Sequence, residues 1–286
     1  MTAETWGMMG ACLAALIAGL VFARAPFRAA VGAGKLLVLG PVFEAGALAM
    51  FAAEHFFAAR DLMPIVPKWL PAPLFWTYLV GAALLAAALS FVARRHMRWS
   101  ASLLALLFLI IVATIDLPNL PANLHDRIFW TLTVRELSFA AGAMVLAGSV
   151  GPGPAGRSLV AIGRPIVAAV MIFYGIEHFV FPRFVPGVPL EKLTPAWIPA
   201  PALITYVVGI VLLAAGVALF FRPAIASAGC GLVLLLLTAF FYVPIFATEI
   251  HTGLAVEGLN YIGDTMLFAA TVLLAGLGAA PSEQIH

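Results

Sequence analysis

The sequence predicts an all-α membrane protein, a polytopic transmembrane bundle of about nine spans that contains two four-helix repeats. Composition is the first reason, because 64% of the 286 residues are hydrophobic and 10% are charged, whereas soluble domains are about 45–50% apolar and about 25% charged. Apolar runs such as 203–221 and 224–247 reach the roughly 20 residues that a bilayer-spanning helix needs. A transmembrane β-barrel would instead show short alternating strands. Motifs that recur in both halves of the chain predict the two repeats.

Charged and proline-rich breaks divide the chain into its spans. They lie at about 6–23, 36–59, 74–93, 100–115, 129–148, 159–181, 202–221, 224–247 and 259–277. The predicted organisation is an extra helix and loop (1–35), a first repeat (36–150), a second repeat (151–280) and a cytoplasmic tail (281–286). No basic residue precedes the first apolar run, which predicts a retained helix rather than a cleaved signal peptide. Cys12 and Cys230 lie in apolar runs near opposite faces, so neither a disulfide nor a dithiol centre is expected.

The charges divide unevenly between the two sets of loops. One set, together with the C-terminus, holds a single acid, Glu283, and these basic residues: Arg24, Arg28, Lys35, Arg94, Arg95, Arg98, Arg157, Arg164 and Arg222. The positive-inside rule predicts that this set faces the cytoplasm of a bacterial-type cytoplasmic (inner) membrane, with the N-terminus outside. Eleven of the thirteen acids then lie towards the outer face. The formal charge of +2 includes no basic stripe, so the lipid bilayer is an expected partner and nucleic acid is not.

Two copies of one pattern follow each other along the chain. Glu54-His55-Phe56 recurs as Glu177-His178-Phe179, and Pro67-Lys-Trp69-Leu-Pro71-Ala-Pro73 recurs as Pro195-Ala-Trp197-Ile-Pro199-Ala-Pro201. After these motifs, residues 128 positions apart correspond: Tyr78 with Tyr206, Gly81 with Gly209, Arg94 with Arg222, and Glu136 with Asp264. Between them, Pro118-x6-His125 matches Pro244-x6-His251 at a spacing of 126 residues. Each unit has an even number of spans, so both copies insert in the same direction. A pseudo-twofold axis along the membrane normal is therefore predicted.

The repeated unit has four recognisable features. They are the charged turn that ends the first helix, the Trp-x-Pro-Ala-Pro entry to the second, the arginine that closes the second, and the final helix Asn260-Tyr-Ile-Gly-Asp264-Thr-Met-Leu-Phe. In these features the chain resembles the DoxX-like family of integral membrane proteins, over about residues 36–277. Relatives in that family include a small membrane subunit of a thiosulfate:quinone oxidoreductase and subunits of redox-associated membrane complexes. The resemblance implies a fold and a link to quinone chemistry, and it carries over no catalytic residue.

The duplicated polar residues are the candidate site. An ionisable side chain at membrane depth costs at least about 2.5–3.5 kcal/mol on insertion scales and usually faces a partner or a water-filled cavity. The candidates are Glu54, His55, His125 and Glu136 in the first copy, and Glu177, His178, His251 and Asp264 in the second. One interpretation is that the two bundles build one or two pockets beneath the outer face, which bind a quinone or another small ligand and handle protons. The other is structural: the glutamates cap loops or pair with Arg135, and the histidines bond backbone carbonyls.

Glu44 has no counterpart in the second copy, where Val167 stands at the aligned position. It lies about midway through its span and shares a helix face with Leu48, Phe51 and His55. One hypothesis is a proton path from the membrane interior to the outer cluster. The alternative is a protonated glutamate that bonds a neighbouring helix.

A metal or haem centre is not predicted. Glu54 and His55 are adjacent, so they point about 100° apart on a helix and cannot both face one ion, and the predicted spans contain no HExxH or ExxH motif. The cofactor is left open, with quinone as the one named candidate. Three function classes remain: a quinone-linked, redox-associated subunit, a small-solute carrier or transporter, and a non-catalytic scaffold that docks a periplasmic or membrane protein partner. The residues leave open whether the protein is an enzyme.

Overall fold

The structure is a computed structural model that describes residues 1–151 and 153–278. Within these residues the regular secondary structure is helical, beside one isolated β-bridge between Phe184 and Leu193. Nine described helices are long and apolar enough to cross a membrane, and we number them α1 to α9. They run Ala3–Phe22, Gly34–Phe57, Pro73–Ala93, Met97–Asn123, Arg127–Val150, Pro154–Val180, Pro201–Ala218, Pro223–Glu249 and Ala255–Ala275. The predicted all-helical, multi-pass class is confirmed, while the predicted tail 281–286 and Glu283 lie outside the described residues.

The fourth span is longer than its predicted bounds of 100–115. A π-helical turn at Val112–Asp116 carries α4 onward to Asn123, past Pro118. Proline lacks the N–H that an α-helix interior requires, and the wider π-turn changes the bonding pattern just before it. The same device recurs in α8, where the π-turn Thr238–Tyr242 precedes Pro244. Helices α4 and α8 therefore both continue past a proline through a π-turn.

The proline-rich segments start α3 and α7, as their sequence predicts. Ala72 and Ala200 precede these helices in the left-handed region, with φ of 53° and 48°. A proline follows each of them at the first helical position, where its missing N–H costs nothing. The chain therefore turns sharply before each helix begins.

The halves interlock. Helix α2 packs against α3 and α9, and in the same way α6 packs against α7 and α5. Helix α4 packs on α5, and α8 packs on α9. At the centre of the bundle, α5 contacts α9. The first helix of each half thus contacts the last helix of the other half. Helix α9 is the most enclosed of the nine, because 94% of its apolar 18-residue stretch is buried. Helix α1 lies at the periphery against α2, and only 22% of its corresponding stretch is buried.

Matched aromatic and glycine contacts occur at corresponding places in the halves. Phe56 stacks on Tyr78 with ring centroids 6.2 Å apart, and Phe179 stacks on Tyr206 at 5.5 Å. Gly81 lies beneath His55, and Gly209 lies beneath His178, because a Cβ would come within 2.7 Å and 2.8 Å of the histidine Cβ atoms. The small residues allow α2 to approach α3 and α6 to approach α7.

We expect Gly209→Ala to lower the free energy of unfolding by about 1–3 kcal/mol, the usual cost of overpacking. The added Cβ would lie 2.8 Å from the Cβ of His178 and 3.2 Å from the carbonyl oxygen of Gly175. Unfolding by denaturing detergent, followed by circular dichroism, measures the effect. Gly229→Ala in α8 is the matched control, because a Cβ there meets nothing within 4 Å and alanine favours helix by up to about 1 kcal/mol. Equal stability of the two variants would contradict the close approach.

Candidate functional site

The predicted site residues, apart from Glu44, lie at one end of the bundle. This end is formed by the loops that join α2 to α3, α4 to α5, α6 to α7, and α8 to α9, together with the adjoining helix turns. We call it the polar end. Six of the eight predicted residues there belong to three groups: an arginine-centred network, two glutamates bonded across the halves, and two histidines.

Arg135 on α5 is the centre of the network. Its Nη2 lies 2.7 Å from Oε1 of Glu136, and its Nη1 lies 2.8 Å from Oδ2 of Asp264 on α9. The two acids that the 128-residue spacing pairs, Glu136 and Asp264, therefore meet at one guanidinium. Arg135 binds these acids rather than Glu54 or Glu177, which the structural interpretation had named as its partners.

Glu54 and Glu177 each bond to the last helix of the other half. The Nδ2 of Asn260 on α9 donates to Oε1 of Glu54 at 2.7 Å. Glu177 lies 3.0 Å from the hydroxyl of Thr131 and 3.5 Å from Nη1 of Arg127, both on α5. Both glutamates are buried, with 7% and 5% of their surface exposed. The pairs tie α2 to α9 and α6 to α5.

His55 and His178 have the same orientation. Nδ1 of His55 lies 2.8 Å from the carbonyl oxygen of Phe51, and Nδ1 of His178 lies 2.6 Å from that of Tyr174. A carbonyl oxygen only accepts, so Nδ1 carries the proton in the neutral ring and Nε2 is left as an acceptor. Nε2 of His178 receives the backbone N–H of Gly187 at 2.8 Å. For Nε2 of His55, the described residues supply no donor.

The partner of His178 belongs to a buried loop, residues 185–189, between α6 and α7. All five residues are buried although none is helical. The hydroxyl of Tyr242, at the end of the α8 π-turn, donates to the carbonyl oxygen of Pro186. Gly187 adopts φ +101°, a conformation that side-chain-bearing residues rarely take. Buried non-helical backbone is tolerated where protein groups satisfy its polar atoms.

Two basic residues fix the far side of the loop. Arg127 donates to the carbonyl oxygens of Pro189 and Leu190 and lies 4.1 Å from the ring centroid of Phe184. The ammonium of Lys192 lies 2.7 Å from Glu249.

Lys192 also contacts the start of α9. Its ammonium lies 3.0 Å from Glu257, and its backbone N–H donates to the hydroxyl of Tyr261 at 2.7 Å. Burial alone would lower the pKa of Lys192, but the bonds to Glu249 and Glu257 outweigh it and raise the pKa. Its stabilising contribution is therefore complete below the ordinary lysine pKa and is lost only as pH rises through the raised value.

The first half has no such insertion. The interval from Glu54 to Pro67 is 13 residues, against 18 from Glu177 to Pro195. The shorter loop folds into a short helix, Ala59–Leu62, and a 3-10 turn that pack on α2 and α3.

Asp116, in the first half, has no described loop residue as a hydrogen-bond partner. It ends the α4 π-turn and corresponds to Tyr242 at the spacing of 126. Its Oδ2 is buried, and the described part of the chain gives it no hydrogen-bond partner. The carboxylate lies in the electrostatic field of Glu136 and Arg135.

His125 and His251 lie apart from the buried groups. Both are exposed. His125 borders a groove of about 400 Å³ between α5 and α6, which is also lined by Leu124, Arg127, Trp130, Phe173, Ile176, Glu177, Val180 and Phe181. His251 lies in the turn before α9. In residues 1–151 and 153–278, no group of three His, Cys, Asp or Glu side chains is placed to hold a metal ion.

Glu44 is 2% exposed on α2, and its Oε2 has no hydrogen-bond partner among the described atoms. The hydrogen bonds of the described structure do not connect it with His55. Its proposed role in a proton path stays a prediction.

Five residues that contact the candidate site were not predicted as part of it from the sequence: Arg127, Lys192, Tyr242, Asn260 and Tyr261. The sequence does contain an indication for Tyr242, because the 126-residue spacing that matches Pro118 with Pro244 also aligns Asp116 with Tyr242. The extra five residues before Pro195 marked the loop that carries Lys192. Arg127 and Tyr261 had no counterpart of the same chemistry.

Comparison with known proteins adds one match. The profile of a family described as a domain of unknown function (DUF8561) matches residues 45–126, less than a third of the chain and within its first half. No curated protein and no solved structure matches the chain. The fold itself defines the class, an integral membrane protein of apolar helices.

Proposed function

We propose that the protein is a tandem-duplicated, DoxX-like subunit of a quinone-linked redox complex, and that the polar end of its first half binds a quinol head group. The complex lies in a bacterial-type cytoplasmic membrane, with the polar end and the N-terminus extracytoplasmic. In this proposal the chain binds and positions the ligand, and a partner subunit handles the electrons.

The matched geometry of the halves supports duplication. The stacked Phe–Tyr pairs, the glycines beneath His55 and His178, and the two π-turns all recur at the spacings that the sequence gives. The crossed packing of first and last helices is also the same in both directions. These correspondences are those expected for a pseudo-twofold axis between α5 and α9.

The observation that carries the ligand proposal is a peptide group held in the second half. Tyr242 donates to its oxygen, on Pro186, and His178 accepts from its nitrogen, on Gly187. In the first half, Asp116 and His55 align by sequence spacing with Tyr242 and His178, and the described residues of the shorter loop give neither of them a hydrogen bond. We infer that a free ligand takes the place of that peptide.

The chemistry of the two positions selects the ligand. Asp116 presents a carboxylate oxygen and His55 presents Nε2, so both are acceptors. A quinol carries two hydroxyl donors on one ring, whereas the oxidised quinone carries only acceptors. Leu117, next to Asp116, is 51% exposed, so this part of α4 lies at the surface of the bundle.

We expect Asp116→Ala to weaken binding of short-chain ubiquinol and menaquinol analogues at least tenfold, or about 1.4 kcal/mol, because it removes one acceptor. Titration into nanodisc-embedded protein, followed by quenching of tryptophan fluorescence, gives the Kd. Asp61→Ala, at an exposed acid of the α2–α3 loop, is the matched control and should keep the native Kd. Unchanged affinity in Asp116→Ala, or tighter binding of the oxidised analogue, would contradict the proposal.

A scaffold is the second candidate, and the Arg135 network favours it. Glu136 and Asp264 are each already bonded to Arg135, as expected for groups that hold a fold together. A stable partner that co-purifies from native membranes, without quinol binding, would support a scaffold. Solute flux in proteoliposomes would support the carrier instead.

A further inference from the structure

We propose that the second half contains a second small-molecule site, enclosed by α6, α8 and α9, and that the buried loop 185–189 occupies it. The inference uses the equivalence of the halves, which is part of the proposed function. It concerns residues that the quinol site does not contain. The ligand class is a neutral carboxamide, for the reasons that follow.

The loop contacts the helices as a ligand contacts a pocket. The hydroxyl of Tyr242 and Nε2 of His178 bind one peptide group from opposite sides, one as donor and one as acceptor. Both side chains are buried, with 1% and 0% exposed. A carboxamide offers the same neighbouring acceptor and donor as a peptide group, so these side chains would hold it in the same way.

Side chains of α8 and α9 pack closely around this peptide group. A Cβ at Gly187 would lie 3.0 Å from Cδ2 of Leu237 and 3.3 Å from Cγ2 of Thr265. Val185 and Val188 are also buried, with 0% and 1% exposed. The loop therefore fills the space between the helices, and its removal would leave an apolar cavity with one donor and one acceptor, the usual composition of a small-molecule pocket.

The loop is an insertion relative to the first half. Deletion of residues 185–189 removes five residues and gives the interval of 13 found between Glu54 and Pro67. A tethered group has an effective concentration in the millimolar range, so a free ligand does not compete with the intact loop. The site is closed in the native chain for that reason.

Thiol labelling at Thr265 tests the proposal. Cys12 and Cys230 are both buried and are first replaced by alanine. In the full-length loop, Thr265→Cys should react slowly with a membrane-impermeant maleimide, because Thr265 is 0% exposed. With residues 185–189 deleted, we expect labelling at least tenfold faster, and we expect millimolar benzamide, a carboxamide probe, to slow it again. Thr271→Cys, deeper on the same helix and 1% exposed, should stay protected.

A second variant allows the same test if the deletion variant does not fold. Arg127→Ala combined with Lys192→Ala removes the hydrogen bonds to Pro189 and Leu190 and the two ion pairs of Lys192, keeps the chain length, and leaves Tyr242 and His178 in place. Faster labelling at Thr265→Cys alone, reversed by benzamide, supports the site. Unchanged labelling in both variants, an equal rise at Thr271→Cys, or an opened cavity that benzamide does not protect would each overturn it. Quinol titration of the native chain separately tests the proposed function.

Discussion

Arg135→Gln is expected to lower the free energy of unfolding by about 3–5 kcal/mol, the usual cost of removing one partner from a buried ion pair. Its guanidinium lies 2.7 Å from Glu136 and 2.8 Å from Asp264, and the three side chains are between 8% and 18% exposed. Without it, two carboxylates remain close together in a site with little water. Unfolding by denaturing detergent measures the loss.

Neutralising the acids should reverse much of this effect. Arg135→Gln together with Glu136→Gln and Asp264→Asn carries no uncompensated charge, so we expect it to be more stable than Arg135→Gln alone. Arg183→Gln is the matched control, because Arg183 is exposed and forms no salt bridge within the described structure, and surface changes usually stay within about 0.5 kcal/mol. If Arg135→Gln were as stable as Arg183→Gln, the Arg135 network would not contribute to the free energy of unfolding.

Gly156→Ala is expected to be severely destabilising, by about 3 kcal/mol, the upper end of the usual cost of overpacking. A Cβ at Gly156 would lie 2.2 Å from the carbonyl oxygen of Gly151 and 2.8 Å from that of Gly148. Both contacts are backbone atoms that cannot rotate away. The substitution therefore separates α5 from α6, where the two halves join.

The matching measurement is the yield and melting temperature of monodisperse protein in mild detergent. Gly10→Ala in α1 is the control, because a Cβ there meets nothing within 4 Å. We expect Gly10→Ala to keep the native melting temperature and Gly156→Ala to lower it or prevent folding. A native melting temperature for Gly156→Ala would show that the helices do not cross as closely as described.

The spans could be predicted because hydropathy is a local property of the chain. Each helix carries its own apolar run, so the number of spans and most of their bounds follow without knowledge of packing. The end of α4 could not be predicted in this way. Asp116 and Pro118 break the apolar run, and only the hydrogen-bond pattern of a π-turn reveals that the helix continues.

The site was predictable where repetition marked it. Glu136 and Asp264 were found as a repeated pair, but repetition gave no indication that one side chain binds both. The partner of His178 was also beyond prediction, because Gly187 reaches it through a loop contact rather than through helical periodicity. His125 and His251 lie just past helix ends, where periodicity no longer fixes direction, and both are exposed.

Arg135 has a consequence for how such a protein can be assembled. At the spacing of 128 its counterpart is Gly263, where a Cβ would already come within 2.5 Å of Met50. Two identical four-helix chains related by a true dyad would carry either two arginines or none at this centre. A single cation shared by two acids requires unlike subunits or one continuous polypeptide. The covalent link between the halves therefore permits a charge balance that no symmetric homodimer of either half could reproduce.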